Sequence, residues 1–496
     1  MSIFTHMESE KTVTISNEQY QKFLKQESEI EWLKHQLSEL QRMIFGAKSE
    51  RFIAPDPSQL NLFDFPATAT PEKQTEEITY TRTKPEKEDK KQPLRAELPA
   101  HLLRKVEVIE PENLPEGAKK IGEAITEVLE YEPASMYVRQ IVRPKYIVES
   151  TDESTRIEIA RLPSMPIPKG NAGASVLAHI LVSKFVDHLP YYRQSKIFKR
   201  QNLHIPDSTI GSWANTAIGN WLSPLWEALK SRLLKSHYLM ADETPIPVLS
   251  EDKPGATHRG YHWVYYDPVN LLVLFDYRQT RGREGPRSLL KDFTGYLQSD
   301  GYNAYYELGP PGKITHLACW AHARRKFEHA LNNDPSRAEK MLAWIRKLYD
   351  IERQAKENAL SPEQIKELRQ IASVPVLTEI EEWLISQKPV VLPKSAIGVA
   401  VNYTLGLWVR LKKYVDDGHL QIDNNLVENS IRPVALGRKN YLFAGSHDAA
   451  QRAAVVYSLL ATCKLQNIEP YAYLKNLLET IPDYQINKLA NLLPGR

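Results

Sequence analysis

Cysteine is almost absent from this sequence: Cys319 and Cys463 are the two among 496 residues, and they lie far apart. They exclude a disulfide framework and a four-cysteine zinc site, and they fit a reducing compartment. No apolar run approaches the length of a membrane span, and residues 1–16 lack the apolar centre of a signal peptide. We therefore expect a cytoplasmic protein, with no membrane partner.

Net charge is also small, at +3, although charged residues make up 25% of the chain. A strongly basic wrapper of nucleic acid is thereby excluded, so any DNA contact must come from local patches. The length predicts three or four domains.

Residues 15–52 predict a long helix with two apolar rows at heptad spacing. One row is Phe23, Ile30, Leu37 and Ile44, and the other is Gln26, Leu33, Leu40 and Ala47. The very polar flanks favour a coiled coil that forms a homodimer over a helix packed on its own domain. Residues 53–98, rich in Pro, Glu, Lys and Thr, indicate a flexible linker.

Residues 99–168 alternate like strands, most clearly at residues 136–148. Arg139, Arg143 and Lys145 there can touch phosphate or form a solvated strand face. Residues 169–232 are helical, with helices at residues 174–186 and 191–200, a short break, and a helix from Asp207 or Ser208. That outline is typical of a helix-turn-helix DNA-binding region, although plain bundles also contain it.

Residues 233–330 change to strand periodicity, and two of the strands end alike. Residues 238–242 read YLMAD and residues 296–300 read YLQSD. If these strands are parallel neighbours, Asp242 and Asp300 lie about 5 Å apart at the Cα level. Two carboxylates that close repel each other unless a divalent cation lies between them. The alternative for each aspartate by itself is a turn residue, which is common at strand ends.

A third acid, Glu428, lies in the sequence QIDNNLVENSIRP at residues 421–433. On a helix, Asn424, Glu428 and Arg432 share one face. Taken alone, this stretch favours a capping box of Asn425 and Glu428. With the two aspartates it predicts a two-metal site, about 4 Å between ions, in a nuclease or transferase. Residues 331–417 indicate a helical insertion, residues 418–470 the rest of the catalytic core, and residues 471–496 a C-terminal tail.

Several stretches together resemble the transposases of the insertion sequence 66 family. They are FGAKSE at residues 45–50, DETP at 242–245, QSDGY at 298–302, CWAHARRKF at 319–327, the stretch at 421–433, GRKN at 437–440 and FAGS at 443–446. The resemblance implies an RNase H-like α/β catalytic domain with Asp242, Asp300 and Glu428 as acidic triad and metal ligands. It implies cleavage at the ends of a mobile element, followed by joining of the 3′-hydroxyls to target DNA.

The resemblance also implies partners and cofactors: double-stranded DNA, small accessory proteins of the same element, and Mg²⁺, for which Mn²⁺ can substitute. The protein would join the nucleoid when bound to DNA. Family members usually carry a cysteine-rich, zinc-finger-like segment, but residues 99–168 contain no cysteine, so no zinc is expected. A second departure is Asn429-Ser430, where the family more often has Arg-Ala.

Basic and polar side chains are expected to contact DNA. They are Lys196, Lys199, Arg200 and Ser208 in the helical region, with Thr209, Ser212 and Asn215 on the same helix as Ser208, and Arg324, Arg325, Lys326, Arg432, Arg438 and Lys439 near the acids. Asn424 and Asn425 are candidates for support of the site. His322 either orients the scissile phosphate or caps its helix, and Arg432 either reaches a phosphate or pairs with Glu428. Cys319 is interpreted as a core thiol.

Three functions compete at this point. The first is a transposase that cuts and joins DNA. The second is a non-catalytic DNA-binding protein from a decayed element, against which the presence of all three acids speaks. The third is an RNase H-like nuclease that cuts without joining.

Overall fold

The computed structural model describes residues 162–495, apart from 169, 251–252, 254, 307 and 309–311. Before residue 162 it describes residues 136–143, two strands, and six positions between residues 22 and 32. Contacts divide the chain into two units: residues 49–162, and residues 1–48 together with 163–496. The predicted linker at residues 53–98 lies outside the described residues.

The smaller unit contains an antiparallel hairpin of β1 (Lys145–Glu149) and β2 (Thr155–Ile159). Strands were expected within residues 99–168, and β1 and β2 lie there, but residues 136–143, part of the stretch with the clearest alternation, have no regular structure. Those eight residues have no strand partner among the described residues, and alternation alone does not make a strand without one.

Near the N-terminus, the six described positions are helical, as the heptad pattern predicts. Ile30, which belongs to one apolar row, is 52% exposed. The remaining residues of the predicted coiled coil lie outside the described part.

The helical region before the sheet consists of four helices. They are α1 (Ala174–Phe185), α2 (Tyr191–Arg200), α3 (Asp207–Ala217) and α4 (Ser223–Leu233). Between α2 and α3, Asn202 adopts φ +59°. The N–H of Leu203 donates to the carbonyl of Phe198 at 3.0 Å, which closes α2 in the manner of a Schellman motif. Asparagine tolerates this left-handed conformation, so the break expected before Asp207 has a local cause.

A mixed five-stranded sheet follows, with the strand order β5-β4-β3-β6-β7. Its strands are β3 (Tyr238–Leu249), β4 (Thr257–Asp267), β5 (Leu272–Arg278), β6 (Gly295–Ser299) and β7 (Ile314–Ala318). Neighbours among β3, β4 and β5 are antiparallel, whereas β6 is parallel to β3 and β7 is parallel to β6. Before β6 lies the short helix α5 (Glu284–Leu289). Between β6 and β7, the described residues contain a 3₁₀ turn, Asn303–Tyr305.

β3 does not end at Asp242, as predicted, but continues to Leu249 along β4. Beyond Met240, β3 no longer pairs with β6. Pro245 and Pro247 are tolerated there because proline needs no ladder partner on a free edge. Ala444 later joins that edge, since its N–H donates to the carbonyl of Pro247 at 2.8 Å.

Helices make up the rest of this unit. They are α6 (Trp320–Ala330), α7 (Pro335–Glu357), α8 (Pro362–Leu368), α9 (Val374–Gln387), α10 (Ala396–Gly406), α11 (Trp408–Leu411), α12 (Asn425–Tyr441), α13 (His447–Leu465) and α14 (Pro470–Thr480). A helical N-terminal region followed by a mixed sheet carrying helices is therefore the observed architecture. No helix in the part of the chain that the structure describes is long and apolar enough to cross a membrane.

Helix α13 covers the outer edge of the sheet. The backbone N–H groups of Val273 and Phe275 on β5 donate to the hydroxyls of Thr462 and Ser458, at 3.1 and 2.8 Å. These hydroxyls satisfy edge groups that would otherwise be buried without partners.

Candidate active site

The two aspartates lie at the same end of two neighbouring parallel strands, Asp242 within β3 and Asp300 directly after β6. Tyr238 pairs with Tyr296 and Met240 with Gln298. Asp242 follows Met240 by two residues, and Asp300 follows Gln298, the partner of Met240, by two residues. The prediction that these two strands are parallel neighbours is confirmed, and it brings both acids to one end of the sheet.

The segment that leads into α12 is fastened across the same strand ends. Gln298 on β6 donates through Nε2 to the carbonyl of Gln421 at 3.0 Å. The N–H of Gln421 donates to the hydroxyl of Tyr238 on β3 at 3.1 Å, and that hydroxyl donates to Oε1 of Gln298. The segment therefore contacts both acid-bearing strands before α12 begins.

Asn424 fixes the start of α12. Its Nδ2 donates to the carbonyl of Ala241 at 3.0 Å, and its backbone N–H donates to Sγ of Cys319 at 3.2 Å. It is fully buried and stands at the N-cap without a side-chain capping bond. The capping box of Asn425 and Glu428 is therefore not observed, since Asn425 donates instead to Asp423, through Nδ2 at 2.8 Å.

Glu428, one helical turn into α12, faces the two aspartates. The pKa of Asp242 is raised well above its usual value, chiefly by burial and then by the charges of Glu243, Asp300 and Glu428. The backbone N–H of Glu243 donates to Oδ1 of Asp242 at 2.8 Å and opposes part of this shift. Three acids remote in sequence thus lie within electrostatic reach of one another.

This arrangement suits a divalent cation. Oε1 of Glu428 is buried and has no hydrogen-bond partner among the described residues. Carboxylate oxygens are the ligands that Mg²⁺ prefers, and mutual repulsion among them falls when a cation is bound. Asp242, Asp300 and Glu428 are therefore the residues that would hold it.

A second group of potential ligands borders the acids. Sγ of Cys319, a ring nitrogen of His322 and a carboxylate oxygen of Glu428 lie within 4.8 Å of one another. Burial raises the pKa of Cys319 to about 12, so its thiol is protonated at neutral pH and accepts the N–H of Asn424. Cys319 is fully buried and forms part of the core, as the sequence indicated.

His322 lies inside the first turn of α6 and not at its cap, which is Cys319. Its Nδ1 is 4.0 Å from Oε1 of Glu428. Burial lowers its pKa, which the charges of Glu428 and Asp300 partly oppose and those of Arg325 and Lys326 assist. A capping role is therefore not observed, and a neutral imidazole faces the acids.

The sequence did not point to Glu243, which organises the loops around the aspartates. Its side chain is 3% exposed and pairs with Arg281, whose Nε donates to Oε1 at 2.8 Å. The hydroxyl of Tyr305 donates to Oε2 at 2.7 Å. Arg281 in turn lies 4.1 Å from the ring centroid of Tyr302, whose N–H donates to Oδ1 of Asp300 at 2.8 Å. We name these residues, Glu243, Arg281, Tyr302 and Tyr305, the aspartate clamp.

The cations on α12 differ in their contacts. Arg432 is exposed and donates to Oδ1 of Asn429 at 3.4 Å, and no ion pair joins it to Glu428 among the described side chains. Arg438 donates to the hydroxyl of Thr244 and the carbonyl of Pro245, at 3.0 and 2.6 Å. It thereby ties α12 to β3, whereas Lys439 is exposed.

The remaining basic candidates occupy two surfaces. Lys196, Lys199 and Arg200 are exposed on α2, with Ser208 exposed in the first turn of α3. Arg324, Arg325 and Lys326 are exposed on α6, beside the acids. Arg324 pairs with Glu328 at 2.8 Å, and Nζ of Lys326 lies 5.5 Å from the ring centroid of Tyr403.

Comparison with known proteins assigns the chain to one family. The model of the transposase IS66 family matches residues 169–452, which include all three acids. A model described as transposase C of IS166 homeodomain matches residues 32–106, and one of the IS66 C-terminal element matches residues 458–494.

Relatives match over nearly the whole chain. The uncharacterized protein y4jD of Sinorhizobium fredii is 32% identical, over 93% of this chain and 94% of its own. The uncharacterized proteins y4hP and y4qI of the same organism are 30% and 31% identical, over 93% and 92% of this chain and 88% and 87% of their own. The chain therefore belongs to the IS66 family of transposases.

Proposed function

We propose that the protein cleaves the ends of an insertion sequence and joins the 3′-hydroxyl ends to target DNA by two-metal phosphoryl transfer. The observation that carries the proposal is the convergence of Asp242, Asp300 and Glu428 from β3, the end of β6 and α12. Half-buried acids within electrostatic reach of one another are typical of catalytic sites.

The sheet supports an RNase H-like catalytic domain. Three antiparallel strands, β5, β4 and β3, are followed by the parallel strands β6 and β7. That order fits the fold that the family resemblance implies. Asp242 lies just beyond the last residue of β3 that pairs with β6, and Asp300 directly follows β6, so both acids lie at the same end of the parallel pair.

In this proposal, Asp242 and Asp300 would hold one Mg²⁺, and Glu428 would hold the second ion or position the attacking water. Bound divalent ions would stabilise the charge on the attacking and leaving oxygens of an in-line displacement. Asn424 would fix the position of Glu428 relative to the aspartates. Its side-chain amide donates to Ala241 on β3 and its backbone N–H donates to Cys319, so both bonds hold the start of α12 in place. The aspartate clamp keeps Asp242 and Asp300 at a fixed spacing.

The side chains of α6 would bind the scissile strand. His322, neutral at physiological pH, can donate one hydrogen bond to a phosphate oxygen beside Glu428. Arg325 and Lys326 follow on the same helix and supply charge without sequence choice. The α2–α3 pair, with Lys196, Lys199, Arg200 and Ser208, would hold the element ends as a helix-turn-helix.

Strand transfer of labelled, pre-cleaved element ends into a plasmid tests the proposal. We expect insertion in Mg²⁺ and none in EDTA. Asp242→Asn and Glu428→Gln should lower strand transfer on the order of 10³-fold, because each removes a charge that the transition state requires. Both variants should bind the ends in EDTA as the unaltered chain does.

The control is Asp292→Asn, an exposed acid paired with Lys291, which should leave strand transfer unchanged. If the protein cuts intact element ends but does not insert pre-cleaved ends into the plasmid, the result favours a nuclease that does not join DNA. Full activity of Asp242→Asn in cells would favour a non-catalytic DNA-binding protein.

A further inference from the structure

Two cations share a mostly buried junction on the side of the molecule where α1 meets α13. Lys184 lies in the last turn of α1, and its Nζ is 3.7 Å from the ring centroid of Tyr191, at the start of α2. Arg452 lies in the first half of α13, and its Nε is buried without a hydrogen-bond partner. Among the described residues, no ion pair involves Lys184 or Arg452.

The two cations act on each other. Burial, and then the charge of Arg452, lowers the pKa of Lys184 to about 8. The same guanidinium opposes the rise that burial causes in the pKa of Tyr191. Lys184, Tyr191 and Arg452 therefore lie within electrostatic reach of one another. The Tyr191 ring offsets part of the desolvation free energy of the Lys184 ammonium, but it does not stabilise the guanidinium of Arg452.

Buried like charges without a counter-charge are unfavourable, and an anion placed between them removes the penalty. A guanidinium beside an ammonium matches a phosphate, which accepts charge-assisted hydrogen bonds from both. The position agrees with this ligand. Arg193 on α2, exposed, donates to Oδ1 of Asn440 on α12 at 3.1 Å, so the helical region is joined here to the helix that carries Glu428.

We propose that Lys184 and Arg452 bind one phosphate group of the DNA backbone where the duplex passes from the helical region to the active site. The proposal rests on the proposed DNA-binding function. It adds a contact that neither the acids nor the exposed cations of α2 and α6 provide.

The test is the salt dependence of DNA affinity, measured in EDTA with a duplex carrying an element end. Loss of one phosphate contact reduces the slope of log Kd against log salt by about 0.9. Lys184→Met and Arg452→Gln should each show a slope smaller by up to that amount, and a Kd roughly fivefold higher at 0.1 M salt. Lys184→Arg should retain most of the slope.

Lys412→Met is the matched control. Its Nζ also lies near an aromatic ring, 5.6 Å from the centroid of Trp408, but it pairs with Glu381 at 2.9 Å. Its slope should equal that of the unaltered chain. Thermal unfolding of each variant measures whether the fold is retained. If Lys184→Met does not fold, Lys184→Arg takes its place in the comparison.

Inorganic phosphate separates the two sources of the ligand. A rise in Tm with phosphate that Lys184→Met abolishes, together with a reduced slope on DNA, supports the proposal. The same rise with an unchanged slope assigns the site to a free phosphate and overturns the DNA contact. Unchanged slopes without a phosphate effect leave Lys184 a packing residue. A chain that binds no DNA at all overturns the proposed function as well, so the failures are distinguishable.

Discussion

At the residue scale, the candidate active site depends on side chains to which the sequence alone assigned no role. Glu243 follows Asp242 directly, and its carboxylate accepts hydrogen bonds from Arg281 and Tyr305. Burial raises its pKa, and the hydrogen bonds from Tyr305 and Arg281 oppose that rise. Through Tyr302, the clamp reaches the turn that holds Asp300. Groups of this kind orient the ligands of a metal and do not bind it themselves.

Arg281→Leu tests the clamp. The substitution leaves the buried carboxylate of Glu243 with Tyr305 as its donor and frees Tyr302, so the spacing of the aspartates loosens. We expect Mn²⁺ affinity and strand transfer to fall about 10- to 100-fold. Affinity for DNA in EDTA should remain unchanged.

Arg281→Lys should recover part of the metal affinity, since it restores the charge but not the fork of donors. Arg287→Leu, at an exposed cation 3.7 Å from Glu284, is the control and should have no effect. Equal Mn²⁺ titrations for Arg281→Leu and the unaltered chain would show that the clamp does not position the aspartates.

At the element scale, the helical insertion is tied to the segment that leads into α12. Arg369 follows α8, and its side chain is 2% exposed. Its Nε and Nη2 donate to the two carboxylate oxygens of Glu352 on α7, at 2.8 and 2.6 Å. The other three donors reach backbone carbonyls. These are the carbonyls of Tyr414, Asp417 and Leu420, at 2.8, 2.8 and 2.9 Å.

Arg369→Met should therefore destabilise the fold by about 3–5 kcal/mol. The substitution leaves the largely buried carboxylate of Glu352 and the three backbone carbonyls without their hydrogen-bond donor. Urea denaturation followed by tryptophan fluorescence measures the loss. The pair of Arg353 with Asp350 is exposed, and Arg353→Met should change stability by less than about 1 kcal/mol. Similar urea midpoints for the two variants would contradict this assignment.

At the scale of the whole molecule, the N-terminal heptad pattern predicts assembly into a homodimer. Ile30 belongs to an apolar row and is 52% exposed in the single chain. A second helix would cover it in a parallel or antiparallel coiled coil. The homodimer stays a prediction, since most of residues 15–52 lie outside the described part.

Ile30→Lys combined with Leu37→Lys should convert the dimer to a monomer, because two charges in one row cannot be desolvated against their copies. Light scattering after size-exclusion chromatography gives the mass. His35→Lys, on the outer face of the same heptads, should leave the dimer intact. A dimer that persists in the double variant would place the interface elsewhere.

The order and type of most elements were determined by the sequence alone, because apolar periodicity and turn residues act locally. The shared YLxxD pattern predicted the pairing of β3 with β6, and Asn202 and Pro206 marked the break before α3. The length of β3 was not predictable in this way, since Pro245 and Pro247 argue for an end unless the strand is known to lie on an edge.

Only the tertiary structure decided which side chains meet. Glu428 lies within electrostatic reach of Asp242, and Asn424 near the start of the same helix bonds to Ala241, 183 residues away in sequence. Arg281 reaches Glu243, 38 residues away in sequence, in the same manner. Such contacts depend on long-range packing, in which burial and charge act between elements that no local pattern connects. The sequence thus determined the parts and the acids, whereas the fold determined their spacing and their supports.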